Sequence, residues 1–225
     1  MTFWEIIYSL QIFLKAAEIH MKYIDLTHAI SHGMHVFPGE TQPSIIRDAL
    51  PEDCGYVTHR LESNMHTGTH MDAPFHAKSD TITINAYPVG NFAGTAAVID
   101  VRGLAFIPMQ PEWIPLFRKH EIVLFCTGYS AWWFKDTYYY DYPEFDSAIA
   151  SALVENGVRI AGFDTPSPDK SPFEFHSIYL KDNRFLVENL TNLEELLEVE
   201  NVTFMAFPLK IEAEASLIRA VAAIG

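Results

Sequence analysis

His66, His70, Asp72 and His76 stand close together in the run Asn-Met-His-Thr-Gly-Thr-His-Met-Asp-Ala-Pro-Phe-His-Ala that spans residues 64–77. Imidazole nitrogen combined with carboxylate oxygen is the donor set that a borderline divalent ion such as zinc takes, whereas magnesium and calcium prefer oxygen alone. Thr67, Gly68 and Thr69 are poor helix formers, and Pro74 would interrupt a helix running on to His76. An extended chain suits the spacing better, because alternate side chains then share a face: His66, Gly68, His70 and Asp72 point one way, with the glycine leaving room between ligands. Pro74 is expected to end that strand and bend the chain, so that His76 returns to the same pocket from a loop. A lone histidine is usually structural; three of them with an aspartate, and no cysteine, point to a catalytic metal site.

Two further donors are sought downstream. Glu188 lies in Arg-Phe-Leu-Val-Glu-Asn-Leu, where an acid among apolar strand neighbours is costly to bury unless it is paired or bound to a cation. An exposed strand face accounts for it equally well. His176, in Phe-His-Ser-Ile-Tyr-Leu, reads on its own as a surface-loop histidine. A second histidine group, His28, His32 and His35, straddles a strand end and a turn at Gly33, so its side chains are expected to diverge, at most lining a pocket mouth.

The elements that must hold these residues are mostly strands. β-Branched and aromatic runs predict them over 23–30, 95–101, 121–127, 159–164, 184–188, 202–211 and 217–224. Helices are fewer: 144–156, introduced by Pro143 and closed by Gly157; a second after Thr191, where Thr191 and Glu194 fit a capping box; and a third over 111–120. Strands outnumbering interspersed helices imply a mixed, layered α/β domain with substantial β-sheet content.

The 225 residues carry no linker or repeat, so 21–225 is expected to form one domain. A formal net charge of −14, from 15 basic against 29 acidic residues, argues against nucleic acid and anionic membranes as partners; the partner expected from the metal motif is a small-molecule substrate. Cys54 and Cys126 are too few for a disulfide scaffold; they read as core thiols in a reducing, cytoplasmic setting. Residues 1–20 are apolar, yet Glu5 and Lys15 interrupt them, so they resemble neither a membrane span nor a signal peptide. They read either as an amphipathic helix that packs on another subunit or as residues ahead of a true start at Met21.

The run His66-Thr-Gly-Thr-His70-Met-Asp72-Ala-Pro-Phe-His76 resembles the signature of the cyclase family of metal-dependent hydrolases, which includes bacterial kynurenine formamidase. Asp25-Leu-Thr-His, Gly33-Met-His-Val-Phe-Pro-Gly39, Gly162-Phe-Asp-Thr-Pro-Ser-Pro-Asp169, Phe207-Pro-Leu-Lys and Ser216-Leu-Ile-Arg-Ala follow in the family's order. The resemblance implies a swivelling β/β/α fold, assembled as a homodimer or homotetramer. It implies that His66, His70 and Asp72 bind a first zinc, that Asp72 bridges to a second, and that His176 and Glu188 complete the pair. His76 is left as the acid/base, a task suited to an imidazole with an unperturbed pKa of ~6.5. Phe37 stands where kynurenine formamidases carry a substrate-contacting tryptophan.

The leading expectation is therefore a metal-dependent hydrolase of a linear amide, of the arylformamidase type, acting on an N-formylkynurenine-like substrate. The nearest rival opens a cyclic amide such as isatin with a single ion, manganese being a known choice among relatives. A third reading is a non-catalytic protein with a closed structural metal site. Asp164 could orient a ligand or simply bond at a strand end. Among Phe37, Trp132, Trp133, Tyr138, Tyr139 and Tyr140, some could line a pocket for a flat ring.

Overall fold

The computed structural model describes residues 21–225; the expectations for residues 1–20 lie outside them. An eight-stranded mixed sheet runs in the order β1 (Lys22–Asp25), β12 (Ala215–Ile224), β11 (Val202–Pro208), β5 (Ala93–Asp100), β7 (Ile122–Cys126), β9 (Ile160–Phe163), β10 (Phe185–Glu188), β4 (His70–Asp72). β4 also pairs with β12, antiparallel through Leu217 and Ala215, so the sheet closes on itself like a barrel. β5, β7, β9 and β10 are parallel neighbours, and the remaining pairs are antiparallel. A separate hairpin joins β2 (Ser44–Ala49) to β3 (Thr58–Glu62), with the short helix α1 (Pro51–Cys54) between them, and β6 (Phe106–Ile107) pairs with β8 (Glu144–Phe145).

β7 and β9 are apolar along their whole length because both of their faces are covered. In β7, Ile122, Leu124 and Cys126 enter one core while Val123 and Phe125 enter another. The second core is roofed by α3 (Ile114–Lys119), α4 (Ser147–Glu155) and α5 (Glu174–Tyr179), which supply Phe117, Ile149, Leu153 and Phe175. Gly162 in β9 permits close packing in the first core: a Cβ there would lie 2.6 Å from Leu124 Cδ2.

The expected mixed α/β fold is the one found, with local differences. Residues 144–145 pair as β8, and α4 begins only after Asp146, whose side chain accepts from Ala148 N at 2.9 Å. After Thr191 the chain makes a single 3₁₀ turn, Leu193–Leu196, with Asn192 before it and no side-chain cap, because Thr191 is used to meet Leu26 through the backbone. Cys126 is buried as expected, but Cys54 is exposed on the short helix α1.

Candidate metal centre

Strand parity places the donors. Met71 and Val187 point into the first core, so their neighbours His70, Asp72 and Glu188 point to the opposite side, toward the helix-roofed face. Glu188 is the direct cross-strand partner of His70. His176 sits on α5, which packs over that side. Asp72 is fully buried and Glu188 and His176 nearly so, which settles Glu188 against an exposed strand face and corrects the surface-loop reading of His176.

Only part of the motif is a strand. β4 covers His70–Asp72, while residues 66–69 form a turn that delivers His66 from outside the sheet. Gly68 has φ +65°, so glycine is needed for the left-handed turn and not for room between ligands; a Cβ there would meet Ile30 at 3.4 Å. Asn189 fixes the turn, its amide donating to the Gly68 carbonyl at 3.0 Å and its own carbonyl accepting from Thr69 Oγ1 at 2.6 Å. Pro74 does end the strand, but it opens the helical turn α2 (Pro74–Ala77), and His76 projects from that helix instead of a loop.

The side chains converge. His66 Nδ1 lies 3.0 Å from Asp72 Oδ1, His70 Nε2 3.4 Å from Glu188 Oε2 and 3.5 Å from Asp72 Oδ1, and His176 Nε2 3.3 Å from Glu188 Oε1. Each of these three rings has its other nitrogen occupied: His66 Nε2 by Glu214 at 3.2 Å, His70 Nδ1 by the Gly68 carbonyl at 2.9 Å, His176 Nδ1 by Asp169 at 2.6 Å. Orientation by a carboxylate or carbonyl behind the ring is what holds an imidazole as a metal ligand. His76 lies beside His66, ring centroids 4.4 Å apart, with no hydrogen bond holding its ring among the described residues.

His70 Nε2, both Asp72 oxygens and Glu188 Oε1 are buried without a hydrogen-bond partner. Leaving such groups unsatisfied costs about 1–3 kcal/mol each, more for charged ones, and a cation at their meeting point removes that cost. At this site, among the described residues, two donor groups are close enough to share an ion: His66, Asp72, His76 and His70, Asp72, Glu188, with Asp72 common to both. The donors thus fit one divalent ion, or two bridged by Asp72. Protonation is the other way to answer the same charge. Burial pushes the His66 and His176 rings down, but Asp72 beside the first and Asp169 and Glu188 beside the second raise them to about 9 and about 10. Burial raises Asp72 and Glu188, yet the surrounding imidazoles leave both below the usual carboxylate range. Ion binding would displace those protons.

The donors floor a cavity of ≈ 410 Å³, also lined by Phe37, Tyr139, Phe173, Glu40 and Asn189. Of the candidate ring-binding aromatics, Phe37 and Tyr139 reach the cavity; Tyr138 is buried, Trp133 stacks on His28, and Trp132 and Tyr140 are exposed. Asp164 is not an orienting residue for the site. It accepts from Thr127 N and Gly128 N and tethers the end of β7, and burial, partly offset by those bonds, raises it to about 6. Asp169 and Glu214, which sequence reasoning missed, orient His176 and His66. Asp169 stood in the quoted Gly162–Asp169 segment; Glu214 sits in Glu-Ala-Glu-Ala, where no pattern separates it from a solvated acid.

The Cyclase family model matches residues 24–170. Kynurenine formamidases from Bacillus cereus (strain ATCC 14579) and Bordetella petrii are each 28% identical to this chain, over 207 and 211 residues, covering 89% and 88% of it and 96% and 95% of themselves. Among solved structures, an isatin hydrolase bound to the product analogue thioisatinate superimposes with a TM-score of 0.79 at 19% identity, covering 100% of this chain and 99% of its own. A structure described as a predicted metal-dependent hydrolase from Bacillus stearothermophilus gives 0.70 at 23% identity, covering 90% and 98%. These structures share the fold.

Proposed function

The chain belongs to the cyclase family, and from that premise we propose that it is a metal-dependent hydrolase of a carbon–nitrogen amide bond, of the arylformamidase type, acting on an N-formylkynurenine-like substrate. The observation that carries the reading is the set of unpartnered buried donor atoms on His70, Asp72 and Glu188, gathered at the floor of a cavity walled by aromatic rings. A closed structural site would saturate its ion with protein donors, whereas this one opens on space for a substrate. Zinc suits the nitrogen-rich donor set and manganese is the alternative, held by His66, His70, Asp72, His176 and Glu188.

A divalent ion there supplies Lewis acidity and a water whose pKa falls from ~15.7 to about 7. The protein's own groups do the rest. Asp72 and Glu188 would hold the ion in place, and the positive charge it keeps after they are counted would stabilise an oxyanion. His76 takes the proton of the attacking water and delivers it to the departing aryl amine nitrogen as the C–N bond breaks, giving formate and the free amine. Although His76 is among the more exposed residues of the site, desolvation by the pocket wall is the largest influence on its ring and holds its pKa below the ordinary value. A lowered pKa favours the neutral ring, the form that can accept a proton. Phe37 and Tyr139 face the aryl group.

A second reading, opening of a cyclic amide such as isatin with one ion, draws on the fold shared with isatin hydrolases and on the fact that His70, Asp72 and Glu188 form a three-donor site by themselves. Assaying N-formylkynurenine beside isatin with protein purified without chelator decides between them. Turnover of the formamide is the expected outcome; turnover of isatin alone would overturn the linear-amide reading.

A further inference from the structure

Asn189 follows Glu188 directly, just after β10, and is buried, yet it belongs to neither donor group. Its backbone has φ +57°, a left-handed conformation that asparagine tolerates better than most residues with a side chain. That backbone is bonded on both sides: its N donates to the Thr165 carbonyl at 2.9 Å, and its carbonyl accepts from Thr69 Oγ1. The side-chain amide is held at both ends as well. Nδ2 donates to the Gly68 carbonyl at 3.0 Å, and Oδ1 accepts from Tyr138 OH at 2.9 Å. Tyr138 is fully buried, packs edge to face on Trp133 and Tyr139, and lies outside the cavity lining.

The Gly68 carbonyl joins these bonds to the metal centre, because it also takes His70 Nδ1 at 2.9 Å. A carbonyl oxygen has two lone pairs and no proton to give, so the amide must present an N–H and the ring must present Nδ1–H. With the amide turned that way, Oδ1 faces Tyr138 and the hydroxyl must donate. In a neutral imidazole the proton on Nδ1 leaves the lone pair on Nε2, and His70 Nε2 is a buried, unpartnered atom facing Asp72 and Glu188. We propose that Asn189, fixed by the Tyr138 hydroxyl, is a positioning residue of the metal centre. It sets the Gly68 carbonyl that selects the tautomer and orientation of His70, so a tyrosine that offers the ion no ligand controls how tightly the ion is held. The inference rests on the metal-dependent reading above for the ion, and not on which amide is cleaved.

The test uses the full chain loaded with zinc. Tyr138→Phe removes only the hydroxyl, and Asn189→Gly keeps the left-handed backbone while removing both amide bonds. Tyr87→Phe is the control: its hydroxyl also donates to a carbonyl, that of Asp182 at 3.3 Å, and Tyr87 does not line the cavity. Chelator competition is expected to show zinc held about tenfold more weakly by Tyr138→Phe and about 10–100-fold more weakly by Asn189→Gly, with Tyr87→Phe unchanged. The visible absorption of the cobalt-loaded proteins, which reads ligand geometry, should shift in the same two variants only. With zinc saturating, their turnover of N-formylkynurenine should fall in kcat at unchanged KM. Wild-type zinc affinity and cobalt spectrum in Tyr138→Phe and Asn189→Gly overturn the inference and leave the hydrolase reading standing. Equal weakening by Tyr87→Phe overturns it too, because the effect is then a general loosening of the fold. Weakened zinc binding in the two variants, with no formamide turnover by the wild type, keeps the inference and removes the amide reading. Should Asn189→Gly fail to fold, Tyr138→Phe against Tyr87→Phe decides alone, and a wild type that takes up no zinc overturns the inference outright.

Discussion

Two histidine groups of nearly equal density in the sequence behave in opposite ways. His28, His32 and His35 scatter: the first stacks on Trp133 at 4.1 Å, the second accepts from Ile45 N at 3.1 Å, and the third faces Asp136 at 3.9 Å. His66, His70 and His76 converge on Asp72, and His176 joins them from α5. What separates the groups is the support beneath them. The second is anchored by β4, which two neighbouring strands clamp, and it faces two buried acids; the first lies on a loop with none. Histidine density becomes a metal site only where the sheet forces the rings inward against carboxylates that need a cation.

The sharpest way to break this contrast is to remove an acid. Glu188→Gln is expected to abolish turnover, because one of the two carboxylates that draw an ion to His70 and His176 is gone; a variant of normal activity would place the chemistry elsewhere. His76→Ala should retain its metal and lose about 10²–10⁴-fold in kcat, the range for one acid/base group. Loss of metal from that variant would make His76 a ligand. Asp169→Asn leaves His176 in place but weakens its orientation, and metal affinity measured by chelator competition should drop about 10–100-fold with the fold intact. The scattered group gives the smallest effect, and one of a different kind. Burial holds His28 at about 4, below its ordinary 6.5, so the unfolded chain takes up a proton more readily between those values. Its contribution is constant above pH 6.5 and turns destabilising as pH falls, by roughly 1.4 kcal/mol per pH unit down to about 4. His28→Phe should flatten that part of the denaturation profile relative to the wild type without touching metal content; an unchanged slope would mean that His28 is solvated.

Much of this was readable from residue order. The apolar runs at 122–126 and 202–208 announced buried and half-buried strands, and the alternation of His70 and Asp72 about Met71 gave the inward face correctly. Local rules failed where tertiary pairing took over. Residues 144–145 have helical neighbours but find a strand partner in 106–107, and the expected capping box at Thr191 yields to the bridge between Thr27 and Leu190 beside it. His176 could not be placed from sequence, since nothing in 175–180 shows that a short helix will carry it over the sheet. The same holds for Glu214, an acid whose importance comes from the His66 ring it meets from a distant part of the chain.

The account stands on ion binding, and metal content per chain tests it most directly. Protein purified without chelator should carry one or two equivalents of zinc or manganese by mass spectrometry, lose amide hydrolysis when the ion is stripped, and regain it on reloading. A preparation that is free of metal yet hydrolyses its amide at an unchanged rate would contradict it.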